Sequence, residues 1–304
     1  MPPLKRAAFK ATRLSETTYL ITEHSDIYEE HPFIYIRFFH SFNTILVIDT
    51  GCGGVTEDEE IEITSLREFI EKGNPDTDDD HGDGKPLNEG GRLAYAVALT
   101  HCHYDHILGV KDFARDSPVY ASGYAPEFIS RENLPNHSLC RDLGIPTPRY
   151  NPTLVRHEGR IHEAPHNLVF LHTPGHTPDE LAIWDESERR LFVGDTLYEW
   201  APIIFPKEGS IIQWLQSVES LIRLVQPYPG AKICCGHTTA DQPAMEVLHN
   251  ARGFIWDVLS GKEVVRKRFE KRGEACVQFV QDGMRFSLIC PERLVRDARA
   301  VNGK

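Results

Sequence analysis

The chain has 304 residues, 40% of them apolar and 26% charged, which suits a soluble globular protein long enough for a sizeable core. Its formal net charge of −12 sets the average field against a polyanionic backbone, and so against nucleic acid as a partner. Seven cysteines without framework spacing argue against a disulfide scaffold and for a reducing, cytoplasmic setting; no run approaches the roughly 18 to 20 apolar residues of a membrane span, and the amino terminus lacks the apolar core of a secretory signal.

The first fifty residues read as β structure. Residues 33–39 are aromatic and β-branched, and residues 44–48 form an apolar run that ends in Asp49-Thr50-Gly51-Cys52-Gly53-Gly54. Asp49 reads as a turn-capping carboxylate at the tip of a buried strand. Residues 59–72 have helical apolar spacing through Ile63, Leu66, Phe69 and Ile70. Residues 73–91 are rich in Asp, Gly and Pro and read as a mobile acidic loop; their spacing does not match a calcium-binding EF-hand loop. After a buried strand at 94–99 come a short helix at 107–113 and a strand at 118–121. The long mixed stretch 123–161, with short helices expected near Ala125 and His137, has the length of a lid or substrate wall.

Short strands follow at 168–171, 181–184 and 191–193. Residues 210–225 carry the clearest helical pattern, with Ile211, Trp214, Leu215, Val218, Leu221, Ile222 and Val225 on one face. A strand at 232–235 and a second amphipathic helix at 244–259 come next. Arg266, Lys267, Arg268, Lys271 and Arg272 read as a solvated helix face. Asp282-Gly283 between two alternating runs signals a hairpin. The expected organisation is a catalytic domain over residues 1–259, containing the acidic loop 73–91 and the insertion 123–161. Residues 260–304 form a carboxy-terminal extension with the β-hairpin, packed on the same domain.

Four candidate metal ligands, His101, His103, Asp105 and His106, fall within six residues after the strand at 94–99. Imidazole and carboxylate are the usual side-chain ligands of zinc and other borderline divalent metals. In extended chain His101 and His103 point the same way, while Cys102 between them points into the core. Three more candidates, His176, Asp195 and His237, each stand beside a glycine at the end of an apolar strand. Seven ligands divide into two sites: His101, His103 and His176 for one ion, Asp105, His106 and His237 for the other, with Asp195 bridging.

The segments Thr100-His-Cys-His-Tyr-Asp-His106, His172-Thr-Pro-Gly-His-Thr177, Gly194-Asp-Thr196 and Cys235-Gly-His237 resemble, in order, the defining motifs of the metallo-β-lactamase superfamily. The resemblance spans Asp49 to His237 and favours the lactonase and glyoxalase II-like branch, which has the bridging Asp. It implies an α/β fold, a four-layer αββα sandwich with two divalent metal ions at one edge between the sheets. Zinc is the first expectation, with iron or manganese as alternatives. It also implies that Asp49 supports the metal-binding loops from behind the ligands. His172 is expected to be structural. The other histidines carry no assigned role, except that His137 would line the pocket if the insertion is a lid.

Two divalent ions sharing a hydroxide provide a nucleophile at neutral pH. The bridging Asp195 argues against a typical bacterial β-lactamase. Tyr198 stands where lactonases of the family carry a tyrosine that hydrogen-bonds the carbonyl oxygen; otherwise it is a wall residue. Trp200, Ile203, Ile204 and Phe205 make the following segment apolar, which suits an apolar or aromatic small-molecule substrate if it lines the pocket. The leading expectation is therefore a hydrolase that opens a lactam or lactone ring, with Asp105 and Tyr198 as catalytic residues. The alternatives are a glyoxalase II-like thioester hydrolase and a mononuclear iron persulfide dioxygenase. Neither a nucleic acid nor a membrane is expected as partner, and a homodimer is compatible with this reading.

Overall fold

The computed structural model describes residues 6–73 and 85–302. Most of the acidic stretch, residues 74–84 with its five aspartates, lies outside the described residues. The chain divides into two compact units. The first runs to Val155 and includes Arg160–His166; the second holds Arg156–Gly159 and the chain from Asn167.

In the first unit seven strands form one sheet in sequence order: β1 (Phe9–Arg13), β2 (Thr18–Glu23), β3 (Phe33–Phe39), β4 (Thr44–Ile48), β5 (Ala94–Ala98), β6 (Val119–Ser122) and β7 (Thr153–Val155). β1 to β4 are an antiparallel meander, and β4 to β7 are parallel. Interior strand β4 is buried along its whole length, which is why it reads as a continuous apolar run rather than an alternating one. Helix α1 (Leu66–Lys72) packs Leu66, Phe69 and Ile70 against Phe9, Ile34, Val47 and Val97.

This helix starts seven residues later than the spacing suggests. Ser65 caps it, accepting from the Glu68 N–H at 3.1 Å. Ile63 is held in an extended bridge to Ala7, with its N–H on the Arg6 carbonyl. The expected helix at 107–113 is instead a short α-turn, α2 (Tyr104–Ile107), running into a 3-10 turn at Leu108–Asp112. The insertion contains α3 (Leu134–His137) and α4 (Cys140–Leu143).

The second unit contains β8 (Leu168–His172), β9 (Leu181–Asp185), β10 (Arg190–Phe192), β11 (Pro202–Ile204), α5 (Ile211–Val225), β12 (Lys232–Cys234), β13 (Gln242–Pro243) and α6 (Ala244–Ser260). Then come β14 (Lys267–Lys271), β15 (Glu274–Val280), β16 (Ser287–Pro291) and α7 (Glu292–Asn302). One sheet has the order β13-β12-β10-β9-β8, the other β11-β16-β15-β14. α5 buries all seven apolar residues of its expected face, beneath a Ser210 cap that accepts from Gln213 N–H at 3.3 Å. The 282–283 hairpin forms, with β15 and β16 antiparallel.

Three features differ from the sequence reading. The basic cluster is an edge strand, β14, not a helix face; Arg272 and Gly273 turn it tightly into β15 with positive φ. Cations along an exposed edge disfavour pairing with another chain. Helix α7 went unread because its short apolar stripe of Leu294, Val295 and Ala298 is masked by arginines. The segment after Asp195 is not a simple loop: Pro202–Ile204 is strand β11, pairing parallel with β16.

Each unit combines mixed sheet with packed helices, the α/β content expected of half an αββα sandwich. No helix among the described residues is long and apolar enough to cross a membrane. All seven cysteines are buried and unbridged. Because Ser65 both caps α1 and donates to Asp112 at 2.8 Å, Ser65→Ala is expected to cost about 0.5–2 kcal/mol, read as a lower urea midpoint.

Candidate metal centre

In the first unit the site is assembled on the carboxyl ends of the parallel strands β4 and β5. Asp49 follows β4 directly and takes a left-handed backbone, φ 59°, which a short polar side chain tolerates. Its N–H reaches the Ala98 carbonyl at the end of β5. Its carboxylate then collects the ligand loop: Oδ1 accepts from the Thr100 N–H at 2.7 Å, and Oδ2 from Thr100 Oγ1 at 2.8 Å. Asp49 Oδ2 also lies 2.9 Å from His106 Nδ1. A carboxylate on one ring nitrogen fixes the tautomer and directs the other nitrogen outward as a metal ligand. That other nitrogen, Nε2, is 3.3 Å from Asp105 Oδ2.

His101 and His103 sit on the extended chain before α2. His101 Nε2 and His103 Nδ1 face each other at 3.0 Å. Cys102 between them is buried in the core, as alternation predicts. The Tyr104 N–H donates to the carbonyl of buried Ser138, so the insertion braces the ligand loop. The insertion also walls a cleft of about 790 Å³, lined by Ile129, Leu134, Tyr150 and the start of β6 and containing none of the candidate ligands. The His137 ring stacks on Phe128 at 3.9 Å.

The glycine-rich turn after Asp49 is supported by Glu23, a residue the sequence reading passed over. Buried at the end of β2, its carboxylate accepts the N–H groups of Cys52 (2.6 Å) and Gly54. Gly54 must be glycine: its φ is +70°, and a Cβ there would fall 1.8 Å from the Thr64 carbonyl oxygen. Burial pushes the Glu23 carboxyl up from 4.5 to about 7, with nearby Asp26 and Asp105 adding to the rise against the two backbone donors.

In the second unit, His176, Asp195 and His237 come together. Asp195 Oδ2 is 3.9 Å from His176 Nε2, and Oδ1 is 3.5 Å from His237 Nε2, so the two oxygens face different imidazoles. His176 Nδ1 lies 2.6 Å from the Ile204 carbonyl on β11. The apolar segment after Asp195 therefore serves the site mainly through its backbone, while Ile203 and Phe205 are spent in the core. Glycine at 175 allows close packing, since a Cβ there would come 2.6 Å from Trp214 Cα.

The Asp195 and His237 loops are tied by Gly236 N–H to the Gly194 carbonyl at 2.6 Å. Buried Glu180, also unread from sequence, accepts the Asp195 N–H at 3.1 Å. A carboxylate just before the apolar run 181–184 was the available signal for it. Tyr198 is buried and its ring meets that of His237 edge-on at 5.5 Å. His172 is half-buried, its N–H donating to His157 Nδ1 at 3.0 Å, a structural contact.

Divalent metal ions fit the residues present. In each unit imidazoles and carboxylates with ligand-forming atoms converge in a buried setting. Buried groups of this kind are stable when a cation or shared protons compensate them. The nitrogen not turned toward the site is held by Asp49 for His106 and by Ile204 for His176.

A model of the metallo-beta-lactamase superfamily matches residues 35–237. A protein of Aspergillus versicolor, provisionally named transcription factor avaE, is 33% identical over 96% of this chain and 89% of its own length. The human acyl-coenzyme A thioesterase MBLAC2 is 25% identical over 63% of this chain and 68% of its own. The hydroxyacylglutathione hydrolase of Psychromonas ingrahamii is 31% identical over 52% of this chain and 54% of its own. Among solved structures, a metallo-beta-lactamase family protein of Thermus thermophilus aligns with TM-score 0.58 at 19% identity, covering 82% of each chain. A metallo beta lactamase of Erythrobacter litoralis aligns at 0.53 and 14% identity, over 83% of this chain and 99% of its own. These structural likenesses show the fold.

The native state of Glu23 holds its proton between pH 4.5 and about 7, where the unfolded state releases it. Its contribution is thus fully present below the unfolded value and is lost as pH rises through about 7. Wild type should lose stability relative to Glu23→Gln between pH 5 and 8, read from urea midpoints; a pH-independent difference would refute this.

Proposed function

This chain belongs to the metallo-beta-lactamase superfamily, and from that premise we propose that it is a dinuclear metal-dependent hydrolase acting at an acyl carbonyl. His101, His103 and His176 would hold one ion, and Asp105, His106 and His237 the other, with Asp195 shared. The observation that carries this reading is Asp195, whose two oxygens face two different imidazoles. Zinc is the first candidate, iron or manganese the next.

When bound, two divalent ions supply a water-derived nucleophile at neutral pH and a Lewis acid for the carbonyl oxygen. The chain's own residues do the rest. Asp105, set against His106, would orient the attacking water and take its proton on a carboxylate oxygen, returning it to the leaving nitrogen, oxygen or sulfur as that atom's bond to the acyl carbon breaks. Asp49 holds His106 in one tautomer throughout. Tyr198 Oη donates to the carbonyl oxygen as negative charge develops there.

The first substrate reading is a small lactam or lactone ring, apolar or aromatic, resting on Tyr198 beside His237. The packing of Ile203 and Phe205 into the core removes part of the apolar lining on which that substrate character rested. The second reading is a thioester, favoured by the similarity to proteins named acyl-coenzyme A thioesterase and hydroxyacylglutathione hydrolase. A transcriptional role, as in the name of the Aspergillus versicolor protein, would need no set of buried metal donors. A small-molecule substrate in the cytoplasm, handled by a monomer or homodimer, completes the proposal.

His103→Ala should lose one metal equivalent and nearly all activity, whereas Asp105→Asn should keep more metal yet still lose turnover; elemental analysis with steady-state kinetics checks both. Turnover on a panel of lactams, lactones and acyl thioesters separates the substrate readings. Tyr198→Phe should lower ring-opening about 10- to 100-fold, somewhat less than loss of a full oxyanion donor. Fast thioester cleavage without ring-opening selects the second reading. A single bound iron with oxygen uptake on a persulfide would replace both with a dioxygenase.

A further inference from the structure

We infer that Arg285, in the carboxy-terminal hairpin, is a positioning residue for His237 and Tyr198; this rests on the proposed metal site. The link runs through Glu199, the residue after Tyr198. Glu199 is buried, and Arg285 Nε donates to its Oε1. Arg285 Nη2 also donates to Glu246 Oε1 at 2.8 Å, and its backbone carbonyl accepts the Trp200 N–H at 2.8 Å. One arginine thus holds the side chain of residue 199 and the backbone of residue 200.

Glu199 is in turn strapped to the turn that follows His237. Its N–H donates to Thr239 Oγ1 at 2.7 Å, and its carbonyl accepts from Thr238 Oγ1 at 2.6 Å. That turn is tight: Thr238 has φ 47°, the Thr239 N–H folds back onto the His237 carbonyl, and Cys235 N–H reaches the Thr239 carbonyl at 2.9 Å. The result is one hydrogen-bonded piece in which the rings of Tyr198 and His237 meet at 5.5 Å. A buried carboxylate deprived of its cation moves toward water or another donor. That movement displaces residue 199, and with it the Tyr198 segment and the His237 turn together. The carboxy-terminal segment is by this reading a working part of the site.

The test compares wild type with Arg285→Gln and Arg285→Lys, which keeps the charge and one donor. Zinc-loaded proteins are dialysed against graded chelator and the metal counted. Arg285→Gln should release one of the two equivalents at about 10- to 100-fold lower chelator, the usual cost of losing a partner behind the ligands. The other equivalent should stay as in wild type, and Arg285→Lys should fall between. In metal-free protein, the NMR contact between the Tyr198 and His237 ring protons should weaken in Arg285→Gln. Arg268→Gln, which breaks the exposed Arg268–Glu292 pair in the same segment, should change neither readout. A folded Arg285→Gln with both readouts as in wild type overturns the inference, even if its melting temperature falls. If Arg285→Gln does not fold, Glu199→Gln removes the same charge pair and is judged by the same readouts. If wild type binds no metal, the proposed function fails, and the ring contact alone decides the role of Arg285.

Discussion

Burying polar side chains at strand ends is the constraint from which the rest of this structure follows. His101, His103, Asp105 and His106 in one unit, and His176, Asp195 and His237 in the other, are all largely withdrawn from water. Such groups are tolerated only where each has a fixed partner for the atom not offered to an ion. Asp49 provides that partner for His106, Ile204 for His176, and Glu180 for the backbone of Asp195. Each support comes from a different strand or turn of its own unit.

The chain meets this constraint with short residues and left-handed turns. Asp49 adopts positive φ so that one carboxylate can reach Thr100 and His106 at once. Gly54 and Gly175 stand where a side chain would strike the Thr64 carbonyl or helix α5. These positions lack bulk because backbone must pass close to backbone there.

The carboxy-terminal strands extend the same logic. β16 pairs with β11, and β11 presents the Ile204 carbonyl to His176. The hairpin's Arg285 meets Glu199, two residues beyond Leu197 in the chain that leaves Asp195. Residues late in the sequence are therefore tied to segments that precede them by many tens of positions.

Much of this was legible beforehand. Runs such as 33–39 and 44–48 became strands at the expected bounds, and the stripe from Ile211 to Val225 became the buried face of α5, because periodic burial is written directly into residue type. The basic run at 266–272 misled because charge spacing alone does not distinguish an exposed helix face from an edge strand; the turn at Arg272-Gly273 decided it. By itself the sequence determined the fold family and the chemical character of the candidate ligands, since motif spacing and residue type are local properties. Only the tertiary structure decided that Glu23 holds the turn after Asp49, that Glu180 holds the Asp195 N–H, that Arg285 pairs with Glu199, and that Ile203 and Phe205 serve the core. Those roles come from contacts between residues distant in the chain, which residue type and local spacing do not encode.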